Sequence, residues 1–282
     1  MNFNLDKYQA AGKDYVIIDD RDETFPHKKT GLIQKICDRH FGIGADGFIL
    51  MRTSERSNFK MLYFNSDGKP SSLCGNGSRC VYAFAQKQSV VGSEGTFETL
   101  DGIHKASRNN DHLVSIHMGD VSYIEKRGTS IFLDTGSPHH IEFVDDVAEV
   151  NVKERGAAIR YGSPYFEVGS NANFVEKLNE REFKIRTYER GLEYETLACG
   201  TGAVAAAIAA HSNGLTSVTV LSIHALGGEL QVSFTMDAGQ YKNIHLTGPA
   251  DFVYSGNILS LIHISEPTRQ AEMSYAVFCL KK

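Results

Sequence analysis

The sequence predicts an α+β protein built from two similar halves, and three observations carry that prediction. Ala198-Cys199-Gly200-Thr201-Gly202 opens a run of strong helix formers that closes at Asn213-Gly214. Earlier in the chain Leu73-Cys74-Gly75-Asn76-Gly77 opens a second such run, through Ala85. Around each cysteine turn the same order recurs: strands, cysteine turn, helix, hairpin. The halves are placed at residues 1–118, carrying Cys74, and 119–258, carrying Cys199. They are expected to meet near residues 118–122 with the two cysteine helices facing across the join, and the last strand is expected to return to the first half.

In the first half, residues 15–18 read as a strand ending in the acidic turn Asp19-Asp20-Arg21-Asp22. Thr30 is placed as the cap of a helix through Leu32, Ile33, Ile36 and Cys37. Residues 41–47 form a glycine-punctuated loop into a strand at 48–51, and 59–64 form the next strand. Asn65-Ser66-Asp67-Gly68 is a turn leading to the first cysteine helix. Strands at 97–100 and 113–118 follow, with Asp101-Gly102 as a hairpin signal between them. The second half has strands at 131–133, 141–144 and 183–188. After its cysteine helix come a strand at 218–221, a turn at Gly227-Gly228 and a strand at 230–236. Residues 259–282 stand apart. Their text resembles a translated sequencing-library adapter, so this tail, Cys279 included, is set aside as non-native.

Composition narrows the class. The chain has 282 residues, 41% hydrophobic and 22% charged, the balance of a soluble globular protein. A net charge of −5 and a pI near 6.1 argue against a basic nucleic-acid footprint. No apolar run reaches the roughly 18 residues needed to cross a bilayer, and the first residues lack the pattern of a signal peptide. Cys37, Cys74, Cys80, Cys199 and Cys279 are spaced for neither a disulfide framework nor a Cys-x-x-Cys zinc site. The expected address is the reducing cytoplasm, with no metal, membrane or nucleic-acid partner.

A thiol at a helix start faces the positive end of the helix dipole and backbone N–H groups with no intrahelical partner, which favours a thiolate and an anion beside it. A lone cysteine is more often a small buried hydrophobe, and Cys37 and Cys80 keep that reading. Two cysteines at matching helix starts suggest instead a pair acting on one small molecule. A thiolate on one side removes a proton from carbon, and a thiol on the other side returns one, inverting the centre. A helix terminus contributes about 1 kcal/mol, against about 1.4 kcal/mol per pKa unit, so it brings a thiol toward neutral pH but explains little of the barrier. Most of the help must come from holding the substrate carboxylate among the N–H groups, where charge grows as the α-proton leaves. Glu189-Arg190, ahead of the second cysteine turn, can be a solvated ion pair. It can equally grip a substrate carboxylate and ammonium. Asn65, Asn76, Asn171 and Asn173 can add amide contacts or simply shape turns.

From about Phe3 to Ile258 the chain resembles the diaminopimelate epimerase family. The likeness rests on an ordered set: Arg39 to Gly47, Phe64 to Gly68, Cys74 to Cys80, Gly136-Ser137-Pro138-His139, Asn171 to Val175, Glu189-Arg190-Gly191 and Ala198 to Gly202. It implies a cofactor-independent isomerase, needing neither pyridoxal phosphate nor metal, that converts L,L-diaminopimelate to the meso form. It also implies two pseudo-symmetric halves, each a mostly antiparallel sheet wrapped around a central helix, and a homodimer. By resemblance Cys74 and Cys199 are the acid/base pair, and Gly75, Asn76, Gly200 and Thr201 bind the reacting carboxylate. Asn65, Asn171 and Arg190 bind the distal end of the substrate, Glu189 takes part in amine recognition, and His139 lies near the site.

Two residues depart from the family pattern. Lys13 stands where the family commonly has a substrate-contacting Asn, and Ser137 replaces a more usual Asn before Pro138. Lys13 keeps two alternatives open, an epimerase or racemase of another amino acid (proline, hydroxyproline or histidine) or an inactive relative; a third is that Cys74 and Cys199 serve as a redox-regulating disulfide pair.

Overall fold

A computed structural model of the chain describes residues 3–71, 74–108, 113–258 and 278–280. The elements begin with β1 (Phe3–Ala10), β2 (Lys13–Asp19), α1 (Thr30–Cys37), β3 (Gly47–Arg52), β4 (Phe59–Asn65), β5 (Pro70–Ser71), α2 (Gly75–Lys87), β6 (Glu94–Thr99) and β7 (Gly102–Arg108). They continue with β8 (Leu113–His117), β9 (Ile124–Arg127), β10 (Ser130–Asp134), β11 (Pro138–Phe143), α3 (Val152–Tyr161), β12 (Asn171–Lys177), β13 (Glu182–Glu189) and β14 (Tyr194–Thr196). The chain ends with α4 (Gly200–Ser212), β15 (Val220–Ala225), β16 (Gly228–Asp237), β17 (Gln240–Pro249), β18 (Asp251–Ile258) and β19 (Phe278–Leu280).

Two compact units result, Met1–Asn109 with Ala250–Lys282, and Asn110–Pro249. Across the first unit the strands pair in the order β19-β18-β1-β2-β3-β4-β6-β7, with β5 on β4. Across the second the order is β9-β10-β11-β12-β13-β15-β16-β17-β8, with β14 on β13. The parallel pairs are β2–β3 and β4–β6 in one unit, β11–β12 and β13–β15 in the other. Parallel neighbours need a crossover, and a helix supplies each one: α1, α2, α3 and α4 respectively. Segment for segment, β1 to β7 and β10 to β16 therefore repeat one plan.

Inside each unit one helix is enclosed. Helix α2 is buried from Gly75 to Ala85 and packs on β1, β2, β3, β4 and β18. Helix α4 is buried at Gly200 and from Gly202 to Ala210, against strands β10 to β13 and β15 to β17. A helix apolar on every side belongs in such a place, and its alanines let the surrounding strands come close. Strand β2 is buried on both faces. Val16 and Ile18 join Leu32, Ile33, Ile36 and Cys37 of α1 in a core with Phe48, Leu50 and Phe64. Alternation then turns Lys13, Tyr15 and Ile17 toward α2.

Several expectations change. Thr30 is the first helical residue rather than the cap; Lys29 holds that position with no side-chain cap bond, and the Leu32 N–H bonding to the Lys29 carbonyl starts the helix. The hairpin at residues 100–101 joins β6 to β7, a strand absent from the sequence reading. Strand β8 instead pairs with β17, so the units divide between Asn109 and Asn110 and not at residue 118. Of the tail, only Phe278–Leu280 is described, paired with Gly256 to Ile258; residues 259–277 and 281–282 lie outside the described residues.

Gly68, in the turn after β4, sits at φ +81°, and a Cβ there would lie 2.2 Å from the Thr30 carbonyl oxygen. Gly68→Ala is expected to cost about 2 kcal/mol of stability, read as a lower urea midpoint with an unchanged slope.

Candidate active site

Cys74 caps α2 in extended conformation (φ −113°, ψ 110°) and makes no side-chain cap bond. The Ser78 N–H bonds back to the Cys74 carbonyl at 2.7 Å. A Ser, Asp or Asn in this position would turn its oxygen onto the first-turn N–H groups. Sulfur is a poor acceptor, so the start of the helix keeps its attraction for an external anion. Asn76 is braced by Arg79, whose Nη2 donates to Oδ1 at 2.7 Å while Nη1 donates to the Gly75 carbonyl at 3.3 Å. The Tyr15 hydroxyl lies 3.2 Å from Cys74 Sγ.

The strands place the remaining first-unit candidates. Tyr15 pairs with Gly47, and Gly47 with Asn65, so Tyr15 and Asn65 lie in line across three strands. Lys13 is buried, 7% exposed, on the same face of β2 as Tyr15. On the opposite face Asp14 takes ion pairs from Lys7 and Arg39, both at 2.7 Å, and Arg39 also reaches Asp46 at 2.8 Å. Burial pushes the Asp14 carboxyl up, but the hydrogen bonds from Arg39 and Lys7 outweigh it and hold the group well below the usual range. This cluster ties the glycine loop 41–47 to the β2 start that carries Lys13.

In the second unit Cys199 caps α4 with nearly the same backbone (φ −122°, ψ 112°), again without a side-chain cap bond, and is 8% exposed. The Thr201 hydroxyl lies 3.4 Å from its Sγ, and His139 Nε2 lies 2.9 Å from Thr201 Oγ1. The direction of this chain is fixed by Asn173. Its Oδ1 accepts from the Thr187 hydroxyl at 2.9 Å, and its Nδ2 donates to the His140 carbonyl at 3.0 Å and to His139 Nδ1 at 3.1 Å. Nδ1 is therefore an acceptor, Nε2 carries the proton and gives it to Thr201 Oγ1, and the Thr201 proton is left for Cys199. His139 is fully enclosed; burial, with the Arg190 charge adding to it, pushes its pKa down to about 3, so it stays neutral.

Asn171 serves the chain more than an open pocket. Its Nδ2 donates to Ser137 Oγ at 2.9 Å and to the Pro138 carbonyl at 2.8 Å, while Oδ1 accepts the Arg190 N–H at 2.8 Å. Arg190 Nη1 donates to the Val168 carbonyl at 3.0 Å, and Glu189 accepts from the Thr196 hydroxyl at 2.9 Å. Asn173, read from sequence as an amide contact, is instead wholly buried as the brace of His139. The sequence reading missed Tyr15. The register supplies the signal: Tyr15 pairs with Gly47 as His139 pairs with Asn171, so the two side chains hold the same place in the two units. Cys37 and Cys80 are buried, and burial pushes both thiols up, Cys37 to about 12, which leaves them unreactive. Among the described residues no cluster of three or more His, Cys, Asp or Glu side chains is placed to hold a metal ion, and no helix is long and apolar enough to cross a membrane.

With this geometry in hand, the chain can be set beside known proteins. The sequence model of the family described as diaminopimelate epimerase matches residues 6–124 and 131–253. The chain is 47% identical over 254 residues to the diaminopimelate epimerase of Flavobacterium psychrophilum, covering 90% of this chain and 99% of that one. It is 39% identical to the diaminopimelate epimerase of Aquifex aeolicus, over 89% of this chain and 96% of the other. In fold it is similar to a PhzF-family phenazine biosynthesis protein of Bacillus anthracis (TM-score 0.74, 14% identity, 92% and 100% covered). It is also similar to a hydroxyproline epimerase of Agrobacterium vitis (TM-score 0.66, 14% identity, 91% and 92% covered).

Because His139 is neutral when folded and ordinary when unfolded, the unfolded chain binds the extra proton below pH 6.5. Its contribution to stability is whole above that value and is lost as pH falls toward about 3. His139→Gln is expected to flatten the pH dependence of the unfolding free energy across this window, relative to the unaltered protein, in urea titrations.

Proposed function

The chain belongs to the diaminopimelate epimerase family, and from that premise we propose how its residues perform the reaction. The reaction is an isomerisation, L,L-diaminopimelate to its meso form, a step in lysine and peptidoglycan biosynthesis. Cys74 and Cys199 are the acid/base pair. One, as thiolate, removes the α-proton; the other, as thiol, delivers a proton to the opposite face of the same carbon, so the centre inverts and no atom is gained or lost. The observation that carries this reading is the matched placement of the two sulfurs, each at the uncapped start of the enclosed helix of its unit. Backbone N–H groups at Gly75, Asn76, Gly200 and Thr201 receive the substrate carboxylate. They stabilise it most when the α-proton has left and charge has spread onto its oxygens.

Arg190 takes the distal carboxylate and Glu189 the distal ammonium, with Asn65 and Lys13 on the Cys74 side. Asn171 and Ser137 support Arg190 by fixing its backbone and the neighbouring turn. His139 acts through Thr201, presenting a hydroxyl proton to Cys199 without bringing a charge. We further read the enzyme as a cytoplasmic homodimer. Cysteine spacing that suits no disulfide framework supports a reducing compartment, and the family resemblance supports the dimer.

Reduced protein in deuterated water with L,L-diaminopimelate is expected to take up α-deuterium while forming the meso isomer, followed by NMR. Cys74→Ala and Cys199→Ala are each expected to lower turnover by about a thousandfold or more with circular dichroism unchanged. Normal turnover in either variant would overturn the two-thiol assignment. Uptake on proline or histidine but not on diaminopimelate would keep the chemistry and assign Lys13 to a changed substrate. In that case Lys13→Asn is expected to restore diaminopimelate turnover.

A further inference from the structure

The two cysteines have unlike surroundings. Cys199 meets an alcohol, Thr201, at 3.4 Å, backed by a neutral imidazole. Cys74 meets a phenol, the more acidic donor, at 3.2 Å. Tyr15 is 1% exposed, and burial followed by the neighbouring Cys74 pushes its hydroxyl well above the ordinary range, so the O–H stays protonated. Such a donor binds a thiolate in a charge-assisted hydrogen bond and a neutral thiol only weakly. Charged or titratable neighbours of Tyr15 and Cys74 include Tyr63 on β4 and Arg79 and Cys80 on α2, and Lys13 lies on the same face of β2 as Tyr15. Arg79 is wholly buried, and its charge is felt at Cys80, Tyr15 and Cys74. Counted from the cysteine, the matching residue of α4 is Val204, which brings no charge.

Resting on the two-thiol reading above, we propose that Tyr15 is the positioning residue that makes Cys74 the resting thiolate of the pair, leaving Cys199 as the resting thiol. In a turnover begun from this state, Cys74 accepts the α-proton and Cys199 gives its own proton to the other face of the carbon. The negative charge ends on Cys199. The resting state returns when a proton passes through water from Cys74 to Cys199.

The test is the pH profile of alkylation by iodoacetamide, read at each cysteine by peptide mass spectrometry. In a Cys199→Ser background, Tyr15→Phe is expected to raise the half-maximal pH of Cys74 alkylation by about one pH unit. In a Cys74→Ser background the same change is expected to leave the Cys199 profile in place. With both cysteines present, Cys74 is expected to react faster near neutral pH, and Tyr15→Phe is expected to erase that preference. Replacing Tyr15 with 3-fluorotyrosine keeps the ring and strengthens the donor, so it should move the Cys74 profile the opposite way and gives a reading if the Phe variant does not fold. A Cys74 profile unmoved by either change, or both cysteines shifting together, would falsify the proposal. Failure of the underlying two-thiol reading looks different: single-cysteine variants would still epimerise, whatever the alkylation profiles did.

Discussion

Helices α2 and α4 each begin at a side chain that accepts hydrogen bonds poorly, and this constraint organises what surrounds them. A buried helix start ordinarily needs a partner for its first N–H groups, supplied by a capping oxygen or by a ligand. Cysteine at the cap, followed by small residues, removes the internal solution and keeps the ligand solution. The strands packed around α2 and around α4 fix each helix start within its own unit. Gly202 shows how little slack is left: a Cβ there would sit 2.7 Å from Asn173 Oδ1 and 3.3 Å from Cys199 Cβ.

Much of this was legible in the sequence wherever one physical signal dominated. Apolar runs gave the cores of β2, β3, β4, β13 and β16, and the Cys-Gly-x-Gly turns gave α2 and α4. Illegible elements are those whose burial is carried by polar groups. Strand β12 starts Asn171-Ala172-Asn173, which reads as a turn, yet both asparagines are buried and bonded on both sides. Strand β1 hides its period because Asp6 and Lys7 are buried as partners of Lys87 and Asp14. Helix α3 buries only Val152 and Gly156, too little for an apolar stripe. A register shift between Ser233 and Thr235 marks the pairing of β16 with β17. At the site the cysteines announced themselves, whereas Tyr15 read as one apolar residue in a strand. Only the register, which sets it where His139 stands in the other unit, gave its hydroxyl a role.

That comparison shows how a repeated plan diverges in use. One backbone position delivers a phenol directly to one cysteine and an imidazole to the other through an intervening hydroxyl. The twin positions one strand further on hold Gly47 and Asn171. Gly47 is small because a Cβ there would lie 2.5 Å from the Tyr63 ring, and Asn171 is large because it braces the Arg190 backbone. Similar halves can therefore carry unlike chemistry at matching positions.

The return of β18 to β1 sets an order of events during synthesis. The second unit is one continuous stretch, Asn110–Pro249, and can pair all its strands as soon as that stretch has left the ribosome. The first unit is made earlier but must wait, with one edge of β1 unpaired, until Asp251–Ile258 arrives. The unit carrying Cys74 is thus begun first and closed last. Changes to the codons of β18 fall on the half of the molecule that was translated at the outset.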